Sequence, residues 1–188
     1  MTLLGAVLAG GASMRMGTDK ADVEISGTTL LERVATAVAG VADRVVVLGG
    51  DRAGYESWSD SAPGAGPLAG VATALDRMTE DRALVLAVDN AFVRTETLHH
   101  LASIISELPV VPVDLAGVRQ VTCAVYPKQI AGQAMEEAEA GGSVQTLLDR
   151  VSFLPVTPEQ WGGWGEDGRS WYSVDTHEAL EEGVRRFS

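Results

Sequence analysis

Two cations set the terms of this sequence. Arg15 and Lys20 lie in the stretch Leu8-Ala9-Gly10-Gly11-Ala12-Ser13-Met14-Arg15-Met16-Gly17-Thr18-Asp19-Lys20, and Lys20 is one of only two lysines, with Lys128, in the chain. The small residues let the backbone turn sharply and leave N–H groups open to an anion. Backbone donors beside two fixed cations suit a polyphosphate, which an acidic chain would otherwise repel. The spacing is neither Gly-x-x-x-x-Gly-Lys-Ser/Thr nor Gly-x-Gly-x-x-Gly. Without its charges the stretch would read as an ordinary glycine-rich connection; with them it reads as a phosphate cradle.

Three carboxylates complete the candidate chemistry. Asp89 directly follows the apolar run Ala83 to Val88, so a rigid element holds it, which suits a metal ligand. Its other reading is a cap for the turn Asn90-Ala91. Asp175 sits at another strand end, and two carboxylates can hold Mg²⁺ together with substrate phosphates; Asp175-Thr176 is equally a natural helix cap. Asp60 either orients a base or ribose or is a solvated loop acid. His99, His100 and His177 have no partners at zinc spacing, and no Gly-x-Ser-x-Gly is present.

The elements that must position these groups follow from periodicity. Leu3 to Leu8 is a buried strand, and a helix capped by Thr28 or Thr29 runs from Leu30 to Val41. Arg44 to Leu48 is a second buried strand, parallel to the first through a right-handed crossover, and Gly49-Gly50-Asp51 ends it. Tyr55 to Gly66 reads as a loop, Pro67 opens a helix over Leu68 to Met78, and Ala83 to Val88 is a third strand. Thr95 caps a helix through Ile105. Pro109 to Val113 and Gln120 to Tyr126 are strands around the turn Asp114 to Gly117, an antiparallel element for a second substrate.

Gln129 to Glu139 is helical, with Glu136, Glu137 and Glu139 on its solvated face, and Ser143 caps the next helix. Phe153 to Val156 is a further strand. The glycine-rich segment Gly162 to Gly168, with Trp161 and Trp164, reads as a mobile surface loop or a lid over a flat ligand. Trp171 to Val174 is a last strand, and Thr176 caps a helix to Phe187. Strands alternating with helices predict a three-layer α/β sandwich with a mainly parallel, Rossmann-like sheet, in one domain over residues 1–188. Ligands then bind beyond the carboxyl ends of the strands, where Gly10 to Lys20, Asp51 and Asp89 converge.

Composition bounds the partners. With 46% hydrophobic and 21% charged residues the chain is globular, and its net charge of −12 argues against nucleic acid and anionic membranes as partners. No apolar segment is long enough to span a bilayer, and the start shows no basic n-region, so a cytoplasmic protein is expected. The single cysteine, Cys123, lies in an apolar run and reads as a buried structural thiol.

Leu-Ala-Gly-Gly-x-x-x-Arg-Met-Gly-x-Asp-Lys closely resembles the opening motif of the molybdenum cofactor guanylyltransferases, within the nucleotidyltransferase superfamily of sugar-nucleotide pyrophosphorylases. Gly66-Pro67-Leu68-Ala69-Gly70, Asp89 after its strand and Val174-Asp175-Thr176 also match. The resemblance implies the nucleotide-diphospho-sugar transferase fold, with an N-terminal nucleotide-binding half and a C-terminal acceptor-binding half. It implies transfer of GMP from GTP to the molybdopterin cofactor, with Mg²⁺ as cofactor and a molybdoenzyme or cofactor-delivery protein as a further partner. By matching position, Leu8, Ala9, Gly10, Gly11 and Asp60 would bind the nucleotide, Arg15 and Lys20 its phosphates, and Asp89 the magnesium ion.

The chain departs from the family pattern at three places. Ala91 stands where the family has proline, Ser173 where it has Asn or Asp, and Gly49-Gly50-Asp51 where it has an asparagine. The rival readings are a nucleotidyltransferase for another base or acceptor (cytidylyl transfer or a sugar phosphate) and a nucleotide-binding module without turnover.

Overall fold

The computed structural model describes residues 1–10, 19–60 and 66–187. Its organising strand is β1 (Leu3–Leu8), all six residues of which are buried. Alternate side chains of β1 serve opposite layers. Leu4, Ala6 and Leu8 join one core with Leu68, Val71 and Leu75, while Leu3 and Val7 join a second with Leu31, Val34 and Val38. A strand covered on both faces must be apolar throughout, which is why this run lacks polar alternation.

Around it the chain adds β2 (Glu24–Ile25), β3 (Thr28–Thr29), α1 (Leu30–Ala39), β4 (Arg44–Leu48), β5 (Ser57–Trp58), α2 (Pro67–Arg77), β6 (Arg82–Ala87) and α3 (Thr95–Ser103). Then come β7 (Val110–Pro112), β8 (Cys123–Pro127), α4 (Ala131–Glu139), α5 (Val144–Arg150), β9 (Leu154–Val156), α6 (Pro158–Gly162) and α7 (His177–Phe187). The main sheet runs β5-β4-β1-β6-β8-β7-β9, and β2 and β3 form a separate hairpin. β4, β1 and β6 are parallel neighbours, with Leu8 opposite Leu48 on one side and Ala87 on the other. β8 is antiparallel to both β6 and β7, and β9 is parallel to β7. The sheet is therefore mainly parallel, and the expected antiparallel element lies in the second half. Helices α2, α4 and α5 cover one face; α1, α3 and α6 cover the other.

Local chemistry explains the ends of these elements. Thr29 caps α1 in a reciprocal box: Glu32 N–H donates to Thr29 Oγ1 at 3.1 Å and Thr29 N–H to Glu32 Oε2 at 2.9 Å. The turn between β7 and β8 closes with Gly117 N–H donating to Asp114 O at 3.0 Å. Thr176 Oγ1 accepts from Ala179 N–H at 3.1 Å and opens α7.

Several expectations are corrected. The segment after Tyr55 is not all loop, because Ser57–Trp58 pairs with β4 as an edge strand. Thr95 is the first residue of α3, not its cap; the capping position is Arg94, with no side-chain cap. The glycine-rich segment is no surface loop at its tryptophans. Trp161 is buried in α6, packs edge-to-face on Trp171 with centroids 5.2 Å apart, and donates its indole N–H to Val113 O at 2.9 Å. Trp164 stacks on His100 at 4.9 Å. Trp171 ends a 3₁₀ turn, Arg169–Trp171, so Trp171 to Val174 is not a strand.

The buried carboxylate of Glu166 holds this region together. It accepts from the hydroxyls of Thr97 and Ser170, both at 2.5 Å, and from Gly168 N–H at 2.7 Å. Glu137 also leaves its predicted solvated face. It is buried and accepts from Thr146 Oγ1 at 2.7 Å and Arg150 Nη1 at 2.6 Å, tying α4 to α5.

Candidate active site

The site forms where the central strands end. Beyond β1, Ala9 N–H donates to Leu48 O at 2.8 Å and Val88 N–H to Leu8 O at 3.0 Å, so the three strands deliver their next residues to one edge. Gly10 and Gly49 meet there backbone to backbone. A Cβ on Gly10 would lie 2.7 Å from the Gly49 Cα, and one on Gly49 2.2 Å from the Gly10 Cα. Only glycine permits this approach, and Gly49 also has φ +101°.

Asp89 follows β6 and Val88 at this edge. Its backbone carbonyl accepts from Val174 N–H at 3.0 Å, which draws the segment before α7 across the strand ends. That bond explains how residues so distant in sequence share a site. Lys20 Nζ lies 2.5 Å from Asp175 Oδ1 and 3.5 Å from Asp89 Oδ2. Ser173 Oγ lies 2.8 Å from Asp175 Oδ2 and 3.1 Å from Asp89 Oδ2. Burial pushes the Asp89 carboxyl above the ordinary carboxylate range, Lys20 opposes that rise, and the Asp175 charge adds to it.

Thr176 Oγ1 accepts from Ala179 N–H at the start of α7, and among the described residues the side chain of Asp89 meets Lys20 and Ser173. Ser173 stands where the family has Asn or Asp and still bridges the two carboxylates. Ala91, in place of the family's proline, is buried, and its carbonyl accepts from Arg33 Nε at 3.2 Å.

Lys20 opens a 3₁₀ turn, Lys20–Asp22, whose cap is Asp19; Asp19 Oδ1 accepts from Ala21 N–H at 3.0 Å. Leu8 and Ala9 have buried side chains, and Gly10 is exposed. Gly11 and Arg15 lie outside the described residues. Asp60 lies beyond β5, on the same sheet end. Its Oδ1 is buried with no hydrogen-bond partner among the described residues, and burial pushes its carboxyl up. Asp51 is exposed.

Sequence reasoning overlooked Arg52. Its Nη2 donates to Ala9 O at 3.2 Å and to Asp19 Oδ2 at 2.5 Å. The available signal was an arginine directly after Gly49-Gly50-Asp51, at the end of a central strand.

A parallel sheet whose central strands end in a glycine-rich loop, a lysine and two carboxylates defines a nucleotidyltransferase. The model for the MobA-like NTP transferase domain matches residues 5–153, and the chain belongs to that family. A protein of Natronomonas pharaonis named "Probable molybdenum cofactor guanylyltransferase" is 31% identical over 98% of both chains. The molybdenum cofactor guanylyltransferase of Xanthomonas euvesicatoria is 28% identical over 84% of this chain and 91% of its own. Among solved structures, molybdopterin-guanine dinucleotide biosynthesis protein A of Archaeoglobus fulgidus superposes with a TM-score of 0.82 at 23% identity, over 97% of each chain. A 2-C-methyl-D-erythritol 4-phosphate cytidylyltransferase of Thermus thermophilus superposes at 0.72 and 17% identity over 98% of each, a likeness of fold. Among the described residues, no helix is long and apolar enough to cross a membrane.

Proposed function

We propose that this chain transfers GMP from GTP to the terminal phosphate of the molybdopterin cofactor, forming molybdopterin guanine dinucleotide and pyrophosphate. The observation that carries this reading is the meeting of Lys20, Asp89, Asp175 and Ser173 at the end of the central strands, beside the glycine-rich loop. Such chemistry needs positioning and charge neutralisation more than covalent help. An acceptor phosphate oxygen attacks the α-phosphorus of GTP, and the bond from that phosphorus to the bridging oxygen of pyrophosphate breaks.

The donor set fits a hard divalent cation. Two carboxylates, one of them pushed above the ordinary range by burial and then by the other's charge, gain from a second cation beside Lys20. Asp89 and Asp175 would hold Mg²⁺, which when bound neutralises charge on the triphosphate. Lys20 binds the same phosphates, and Arg15, by its place in the family motif, shares that work. The backbone from Leu8 to Gly10 lies along the nucleotide, and Gly11, by its place in the family motif, shares that contact. The unpaired Oδ1 of Asp60 accepts from an N–H or O–H of the base or ribose.

In this reading residues 1–188 are one domain, with the acceptor bound by the C-terminal half. The product passes to a molybdoenzyme or a delivery protein in the cytoplasm. A thermal-shift series tests the nucleotide half of this reading: GTP with Mg²⁺ should raise Tm, by RT ln(1 + [L]/Kd) in free energy. No shift with GTP and Mg²⁺, alone or with acceptor, would contradict it.

A further inference from the structure

Arg52 touches the glycine-rich stretch at both of its ends. Its Nη2 donates to Ala9 O at 3.2 Å, where the chain leaves β1, and to Asp19 Oδ2 at 2.5 Å, where the chain returns. Nη1 lies 3.7 Å from Asp22 Oδ1 in the turn that Lys20 opens. The arginine is itself anchored. Arg52 N–H donates to Ser57 Oγ at 3.0 Å, and its carbonyl accepts from Tyr55 N–H at 3.1 Å. The side chain is only 17% exposed, and its Nε is buried with no hydrogen-bond partner among the described residues. A long, flexible cation held this way differs from a solvated surface ion pair, which contributes little.

Asp19 extends the contact to the site. One carboxylate oxygen accepts from Arg52; the other caps the turn that presents Lys20. Beside it Gly10 and Gly49 are in backbone contact, so the chain just after β4 packs against the chain just after β1. We infer that Arg52 is a positioning residue that clasps the base of the glycine-rich loop and, through Asp19, fixes Lys20 against the triphosphate. The triphosphate part rests on the proposed function; the clasp itself does not.

The planar fork matters here, because Nη2 serves the Ala9 carbonyl and the Asp19 carboxylate while Nη1 faces Asp22, and the single nitrogen of lysine cannot span all three. Asp19→Asn is the complementary change. Asparagine keeps the cap on Ala21 N–H but loses the charge that faces Arg52.

The test compares wild type, Arg52→Gln, Arg52→Lys, Asp19→Asn and the Arg52→Gln/Asp19→Asn double variant in two measurements. Amide hydrogen exchange on the free protein should show residues 10–22 exchanging about tenfold faster in Arg52→Gln, with α7 unchanged. Calorimetry with GTP and Mg²⁺ should show about ten- to a hundredfold weaker binding in Arg52→Gln and an intermediate loss in Arg52→Lys. The double variant should be no worse than Arg52→Gln, because both changes break one unit. Wild-type exchange and affinity in Arg52→Gln would overturn the clasp. Additive losses in the double variant, or normal affinity in Asp19→Asn beside a loss in Arg52→Gln, would overturn the route through Asp19. Failure of the wild type to bind GTP would instead strike the functional reading and leave the exchange result to decide the clasp.

Discussion

Lys20 and Asp175, 155 positions apart in the chain, meet at 2.5 Å. The same ammonium lies 3.5 Å from Asp89, so the cation read as a phosphate ligand already faces both of these carboxylates in the free protein. As a free loop cation, Lys20 would be replaceable without cost to stability. At 18% side-chain exposure and with two acidic partners, it is not.

Lys20→Ala should therefore act twice. Leaving Asp89 and Asp175 facing each other should cost about 1 kcal/mol or less, since Asp175 is half exposed, or roughly 2–4 °C in Tm. GTP affinity should fall about ten- to a hundredfold. Thermal melts and nucleotide titrations check both effects, and an unchanged affinity would remove Lys20 from the phosphate site.

The two aspartates should prove unequal partners of the metal but both essential. Asp89→Asn should abolish turnover in a folded protein, because a neutral amide replaces a carboxylate held at a strand end. Asp175→Asn should also cost activity heavily, since its carboxylate meets both Lys20 and Ser173 at the site. Mn²⁺ titration followed by electron paramagnetic resonance reports the metal directly. Wild-type Mn²⁺ binding in both variants would move the site elsewhere.

Arg15→Lys separates charge from shape. Lysine keeps the charge and loses the planar fork that grips two phosphate oxygens. GTP should still bind, and turnover should fall by about tenfold or more if the fork acts mainly as charge moves to the leaving pyrophosphate. Equal losses in both quantities would assign Arg15 to ground-state binding.

Glu137 gives a pH-dependent contribution to stability. Hydrogen bonds from Thr146 and Arg150 hold its carboxyl below the ordinary 4.5. The depressed value means that its stabilisation is fully present above about pH 4.5 and is lost as pH falls through the folded value. Glu137→Gln should lower Tm at neutral pH, and the gap to wild type should close in acid. A gap that persists at the lowest pH where the protein folds would assign the effect to packing.

Cys123 is 1% exposed, and burial pushes its thiol up, far from the reactive range. Alkylation by iodoacetamide at neutral pH should be absent in the folded protein and complete in denaturant. Rapid labelling of the native state would mean that β8 opens readily.

Most of the fold was legible because its signals are local. β1, β4 and β6 are uninterrupted apolar runs, and Thr29 and Thr176 stand at their helix starts. Asp89 was legible from its strand-end position and Lys20 from its residue type, whereas Asp175, expected at a strand end, follows no strand and reaches the site through the bond from Val174 N–H to Asp89 O. What escaped depends on contacts between distant segments. β5 exists only because Ser57–Trp58 pairs with β4, and Trp161 is ordered by Trp171 and the carbonyl of Val113. Glu137 looks like a helix-surface acid until Arg150 and Thr146 fold over it. Arg52 carries no motif of its own; its contact with Ala9 and Asp19 arises only when β4 lies beside β1.

The central claim is guanylyl transfer, and pyrophosphate release measures it most directly. The purified chain would be assayed with Mg²⁺ and molybdopterin cofactor, with GTP or CTP, and with each component omitted in turn. Ala9-Gly10-Gly11, where the related cytidylyltransferases tend to have Ala-Ala-Gly, predicts GTP preferred by about tenfold, equivalent to about 1.4 kcal/mol. Pyrophosphate should appear only with GTP, acceptor and Mg²⁺ together, matched by guanine dinucleotide formation. Equal release with CTP, or release from GTP that does not depend on the acceptor, would contradict the account.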